Sequence, residues 1–170
     1  LEKHFGIMGN QLYYHAWGID HSTFGEPLVQ GQVSFGKGQM LMRDYHKRSD
    51  ICVVLLEMCE DVAKRARLAG YVGRTIALGL SYSQAAMTKG FHLSKTIEEP
   101  TNDTMTIYAV CKELLDTHFV GEPARQLSVR LSNVEQARSI QLDLFDTDKE
   151  KRQTLAHTVD TIRDKFGATA

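Results

Sequence analysis

The chain has 170 residues, 42% of them hydrophobic, with 20 Lys and Arg against 21 Asp and Glu and a formal net charge of −1. That length carries one packed domain plus appendages, and no apolar run approaches the roughly 20 residues that a membrane helix needs. A net charge near zero speaks against nucleic-acid binding when only the sum is considered, so the distribution of charge along the chain has to decide.

Residues 1–20 read as the end of a helical unit. Leu12, Ala16 and Ile19 are spaced for one helical face, and Gly6, Gly9 and Gly18 cut the unit into short pieces. The start at Leu1 without a methionine and the stop shortly after Phe166-Gly167 are what an excised piece of a longer protein is expected to show. Residues 21–31 (HSTFGEPLVQG) have no periodicity and are expected to be a linker.

Residues 32–43 (QVSFGKGQMLMR) predict a strand bent by Gly36 and Gly38. A long amphipathic helix follows over 49–69, with Ser49 as N-cap, Ile51, Leu55, Met58, Val62, Ala66 and Ala69 as its buried stripe, and Gly70 as its stop. Residues 73–83 alternate as a strand, with Ile76, Leu78, Leu80 and Tyr82 on one face. A third strand is expected over 88–96, with Phe91 and Leu93 inward. A second helix covers 102–119, entered through Glu99-Pro100-Thr101, with Ile107, Cys111, Leu114 and His118 as its stripe. Residues 124–131 are the last strand, with Leu127, Val129 and Leu131 inward. A second linker over 133–146 leads to a final helix over 148–166, which a Thr147-x-x-Glu150 capping box introduces. Its stripe is Leu155, Val159, Ile162 and Phe166, and packing on the preceding domain is the expected use of it.

The element order is β-α-β-β-α-β, the split-βαβ plan of the α+β class: a four-stranded antiparallel sheet with two helices on one face and the other face open. The expected organisation is therefore a helical remnant over 1–20, a linker over 21–31, the α+β domain over 32–132, a linker over 133–146 and a terminal helix over 147–170. Cys52, Cys59 and Cys111 form no CxxC pair and fall in helical stretches, which fits buried free thiols in a reducing cytosol. The seven histidines are scattered, none at metal-ligand spacing, and no metal is expected.

Charge is unevenly divided between the elements. The predicted strands hold Lys37, Arg43, Arg74, Lys89, Lys95, Arg125 and Arg130, and no Asp or Glu. The acids fall on the predicted helices and turns. The outward strand positions Ser34, Gly36, Thr75, Ala77, Gly79, Ser81, Thr88, Gly90, Gln126 and Ser128 are small or polar. Cations beside small residues let a phosphate chain approach backbone N–H groups. Strict alternation places Lys37, Lys89 and Arg125 inward, near strand ends or glycine bends where long side chains reach solvent. The alternative is that strands merely avoid acids and keep Lys and Arg for edge solubility. No outward Phe, Tyr or Trp is present for stacking single-stranded bases.

Several stretches resemble Y-family translesion DNA polymerases. FGIMGNQLYYHAWGID (5–20) is similar to the end of their thumb. Val33-Ser34-Phe35-Gly36-Lys37, Thr88-Lys89-Gly90 and Val129-Arg130-Leu131-Ser132 resemble strands of their little-finger domain, in the same order. The subgroup it most resembles is the bacterial UmuC and ImpB/MucB/SamB one. The resemblance implies duplex-DNA phosphate contacts by Ser34, Gly36, Lys37, Thr88, Lys89, Arg125 and Arg130, within a primer-template grip. Gln126 departs from the second adjacent arginine of archaeal members. Arg74 joins the expected DNA-binding set on charge pattern alone. The resemblance places catalysis, and the Mg2+ it would use, in a palm upstream of these residues; no catalytic residue and no cofactor are expected here.

Gln141-Leu142-Asp143-Leu144-Phe145 matches the bacterial sliding-clamp-binding motif at every defined position. Leu144 and Phe145, with Leu142, would fill an apolar cleft and Gln141 would hydrogen-bond beside it. A recombinase filament is a further partner considered for the terminal helix, and a membrane is not. The competing readings are an RNA-binding module of ferredoxin-like topology and a small-molecule regulatory domain.

Overall fold

A computed structural model of the chain describes residues 2–20, 33–84, 86–137 and 148–167. The chain divides into two compact units, Leu1–Gly31 and Gln32–Ala170. In the first, α1 (Glu2–Phe5) and α2 (Ile7–Ala16) meet at Gly6, whose φ of 55° suits glycine. Gly18, at φ 72°, closes α2: its N–H bonds to His15 O and the Ile19 N–H to Tyr14 O, the paired bonds of a Schellman end. Gly9 does not break the unit as expected; it is a buried residue inside α2. Leu12 and Ile19 of the expected face are exposed, as are Phe5, Ile7 and Trp17.

The second unit runs β1 (Phe35–Tyr45), α3 (Arg48–Leu68), β2 (Tyr71–Tyr82), β3 (Phe91–Thr101), α4 (Thr104–His118), β4 (Ala124–Gln136) and α5 (Asp148–Phe166). The expected β-α-β-β-α-β order is present. The strands form one sheet of order β1-β4-β2-β3 in which every neighbouring pair is antiparallel. Leu41, Ile76, Leu78, Leu80, Leu127, Val129 and Leu131 of the sheet join Ile51, Leu55, Met58 and Val62 of α3 and Ile107, Cys111 and Leu115 of α4 in one buried cluster. Each such aliphatic side chain contributes about 1.5–3 kcal/mol by leaving water. Among the described residues no helix is long and apolar enough to cross a membrane.

Several boundaries differ from the sequence reading, each for a physical reason. Lys47 is the N-cap of α3 and Ser49 is not; the Ser49 hydroxyl turns to Asp50 Oδ1 at 3.1 Å. Ala69 lies past the helix end and is exposed, while Cys59 and Ala63 complete the buried stripe. β3 begins at Phe91, so Thr88 and Lys89 precede it, and it continues through Glu99-Pro100-Thr101. Proline is tolerated there because β3 is an edge strand and its register with β2 slips between Gly73 and Thr75. The cap of α4 is Asp103, whose carboxylate accepts from Thr106 N at 2.8 Å, an arrangement worth about 1 kcal/mol. The buried stripe of α4 is Ile107, Val110, Cys111 and Leu115; Leu114 is half-buried and His118 is exposed, its ring 5.8 Å from Phe91.

The linker expected from 133 starts too early, since β4 continues to Gln136. Asn133 adopts a φ of 52°, a conformation asparagine tolerates, so the strand passes through the residue that signals a break. Residues 138–147, with Thr147 of the expected capping box, lie outside the described residues.

The last helix occupies the expected span but presents a different face. Leu155, Ile162 and Phe166 are exposed and Val159 is half-buried. Its partner is α3, through charge. Arg67 donates to both carboxylate oxygens of Asp160, at 2.8 and 2.9 Å, with side chains only 15% and 11% exposed. Arg163 pairs with Glu60 at 2.9 Å, and Lys64 with Asp164. The three cysteines are free thiols, Cys59 and Cys111 buried. A hydrogen bond with Cys111, and then burial, push the Cys59 thiol pKa up.

Candidate nucleic-acid interface

Residues opposite each other in an antiparallel ladder point to the same face, and neighbours along a strand to opposite faces. Leu127, Val129 and Leu131 are buried against the helices, so Gln126, Ser128 and Arg130 face away. The ladder carries this assignment across the sheet. Arg130 lies opposite Gly36 of β1 and Ala77 of β2, Ser128 opposite Gly38 and Gly79, and Gln126 opposite Met40 and Ser81. β3 adds His92 opposite Gly79, Ser94 opposite Ala77 and Thr96 opposite Thr75, where the two threonine hydroxyls stand 3.0 Å apart.

The result is a surface mostly of glycine, alanine and hydroxyl side chains, together with Arg130, Gln126, Met40 and His92. It holds no Asp or Glu and no Phe, Tyr or Trp at the register positions just named. The acid-free region is narrower than whole strands, however. β1 ends with Asp44, β3 contains Glu98 and Glu99, and β4 contains Glu135, because the strands are longer than the sequence suggests.

The expected DNA-binding residues distribute unevenly over this surface. Gly36 and Arg130 face each other on the open side and are exposed. Ser34 is exposed immediately before β1. Thr88 and Lys89 are exposed in the turn before β3. Gly90 presses that turn against β2: a Cβ there would overlap the Leu80 carbonyl. Arg125 falls at a register shift between Ser81 and Tyr82, which leaves it outside the strict alternation, 40% exposed and 3.4 Å from Asp44. A bulge of this kind re-aims one side chain. Lys37 lies opposite Val129, on the helix-facing register of an edge strand, and is half-buried. Arg74 sits apart from the open patch, donating to the Glu98 carbonyl and lying 3.6 Å from Glu135. The clamp-motif residues Gln141, Leu142, Leu144 and Phe145 lie outside the described residues.

Sequence reasoning missed His92, Ser94 and Thr96 as open-face residues, as well as the exposed Met40. The signal for the first two was present, since inward Phe91 and Leu93 force His92 and Ser94 outward. Among the described residues no three His, Cys, Asp or Glu side chains come together as a metal-binding set.

Comparison with known proteins agrees with the resemblance read from the sequence. The chain is 55% identical over its whole length to the putative UV-damage repair protein UvrX of Bacillus subtilis, of which it covers 41%. It is 60% identical over 122 residues, 72% of this chain and 56% of the relative, to the DNA repair protein homolog YobH of the same organism. It is 40% identical over its whole length to DNA polymerase IV 2 of Halalkalibacterium halodurans, again covering 41% of that protein. The chain thus spans about two fifths of UvrX and of this polymerase. Among solved structures, a complex of the beta-clamp processivity factor and the little finger domain of PolIV aligns with 66% of this chain and 99% of that one, at 12% identity and a TM-score of 0.49. The family model described as the impB/mucB/samB family C-terminal domain matches residues 32–144, and on that match the chain belongs to this family.

Proposed function

We propose that this chain is the DNA-gripping and clamp-tethering region of an error-prone translesion DNA polymerase. The observation that carries the grip is the acid-free centre of the open face, with Arg130 opposite Gly36, and the exposed Lys89 on the turn after β2. Small side chains bring a phosphate chain close to the sheet, and the cations supply a sequence-indifferent, salt-dependent attraction. The absence of aromatic side chains at the open-face register favours backbone reading of a duplex over base stacking on a single strand. Family membership supports the same reading. Polymerisation belongs to the rest of the parent protein. The described side chains do not fit a two-metal site, and no step through a metal is assigned to them.

The test is the affinity of the 170-residue chain for a labelled duplex as salt is varied. Lys89→Glu with Arg130→Glu should weaken binding at least tenfold and flatten the log–log salt slope by about 0.9 for each phosphate no longer neutralised. Unchanged affinity would remove the open face as the binding surface. The tether is supported by the peptide Gln141-Leu142-Asp143-Leu144-Phe145 itself. Leu144→Ala with Phe145→Ala should abolish retention by an immobilised bacterial sliding clamp while leaving duplex affinity intact. Retention of the double variant would mean that the clamp is held elsewhere or not at all.

A further inference from the structure

The open face carries an ionisable side chain that the grip described above does not use. His92 is exposed on β3, opposite Gly79 of β2. Ser128 lies opposite the same glycine from the other side, on β4. The two side chains converge there: a Cβ on Gly79 would overlap the Ser128 Oγ and come within 3.0 Å of the His92 Cδ2. A hydroxyl and an imidazole therefore meet over a stretch of bare backbone in the middle of the sheet.

We propose that His92 and Ser128, above Gly79, form a phosphodiester-binding subsite that strengthens when the imidazole takes up a proton. The proposal rests on the open-face reading and deepens it. A serine hydroxyl can donate to a phosphate oxygen, a neutral imidazole carries one N–H donor, and a protonated one carries two and a full charge. Hydrogen bonds from a charged donor to phosphate are about twice as strong as neutral ones.

The surroundings of His92 set the direction of the coupling. On its own strand the open-face neighbours are Ser94 and Thr96; on β2 they are Ala77, Gly79 and Ser81; none is charged. β4 contributes Arg130 next along from Ser128, and the turn before β3 contributes Lys89. No carboxylate stands at these register positions; Asp44, Glu98 and Glu135 lie towards the strand ends. A phosphate bound at this register favours the charged form of the imidazole, so protonation and DNA binding favour each other. Histidine is the ordinary side chain that changes charge between about pH 5 and 8, so the coupling should be visible in that window.

The experiment is duplex binding by the whole chain, followed by fluorescence anisotropy at about pH 5.5 and pH 8.0 over a salt series. The unmodified chain should bind roughly tenfold tighter at the lower pH, with a log–log salt slope steeper by about 0.9. His92→Gln keeps a neutral donor on an exposed position. It should match the parent within about twofold at pH 8.0 and lose most of the gain at pH 5.5, which separates His92 from the other histidines. Ser128→Ala should weaken binding roughly threefold at both pH values and leave the gain in place. If the unmodified chain binds no duplex at either pH, the open-face reading fails and the subsite with it. If it binds with steep salt dependence but His92→Gln follows the parent at both pH values, the subsite alone is overturned.

Discussion

On the helix-covered side of the sheet, cationic side chains are engaged with acids: Arg67 with Asp160, Arg163 with Glu60, Lys64 with Asp164, and Lys95 with Glu113. Arg65 reaches Asp61 and Arg48 holds Asp116, whose hydrogen bond raises the arginine pKa further. On the open side, Arg130 stands among glycine, alanine and serine, with no acid at its register. The same residue types therefore do two kinds of work. Paired cations spend their field on holding helices in place, at about 0–1 kcal/mol for each exposed pair. Cations without a nearby acid leave their field less neutralised, as the proposed grip on a polyanion requires. A net charge of −1 averages over both and reports neither.

Three measurements break or sharpen this contrast. The largest effect belongs to the covered side. Leu78→Ala, in the core, should lower stability by about 2–5 kcal/mol in a denaturant titration. Ser94→Ala on the open face should stay within about 0.5 kcal/mol, and a comparable loss there would mean that the open face is structural. Next is Arg67→Ala, which leaves the little-exposed Asp160 carboxylate without its partner. It should cost about 2 kcal/mol and make α5 an early site of limited proteolysis, with duplex affinity unchanged within about twofold. A loss of DNA binding in that variant would show that the two faces are not independent. Smallest is a difference in thiol reactivity. With its pKa raised by the Cys111 hydrogen bond and by burial, Cys59 stays a thiol as pH rises past the range where a free cysteine ionises. Alkylation of the folded chain at about pH 8, read by mass spectrometry, should modify half-buried Cys52 first and spare Cys59 and Cys111.

The element order was legible because the inward leucines, isoleucines and valines alternate or recur at helical steps without interruption. The central site residues were legible for the same reason: Gly36 and Arg130 face outward by simple parity. Parity fails where the ladder slips, which is why Arg125 sits outside the alternation that assigned it inward. Starting β3 three residues early, at 88, credited Thr88 and Gly90 to the open face, although both precede the strand. Arg74 looked available because its acidic neighbours, Glu98 and Glu135, belong to strand ends that read as turns or linker. In α5 the apolar period was read and the charged one was not. Asp160, Arg163 and Asp164 form their own stripe at three- and four-residue steps, and that stripe meets α3.

The sheet is also closed at its margins by side-chain chemistry. Pro100 has no N–H to offer a neighbour and stands on one edge strand beside Glu98 and Glu99. On the other edge strand, the Arg65 guanidinium occupies the Gly36 carbonyl at 2.7 Å. An extra strand arriving from another molecule would meet a missing donor on one margin and a capped acceptor on the other. The sheet is thereby defended against edge-to-edge pairing with a copy of itself.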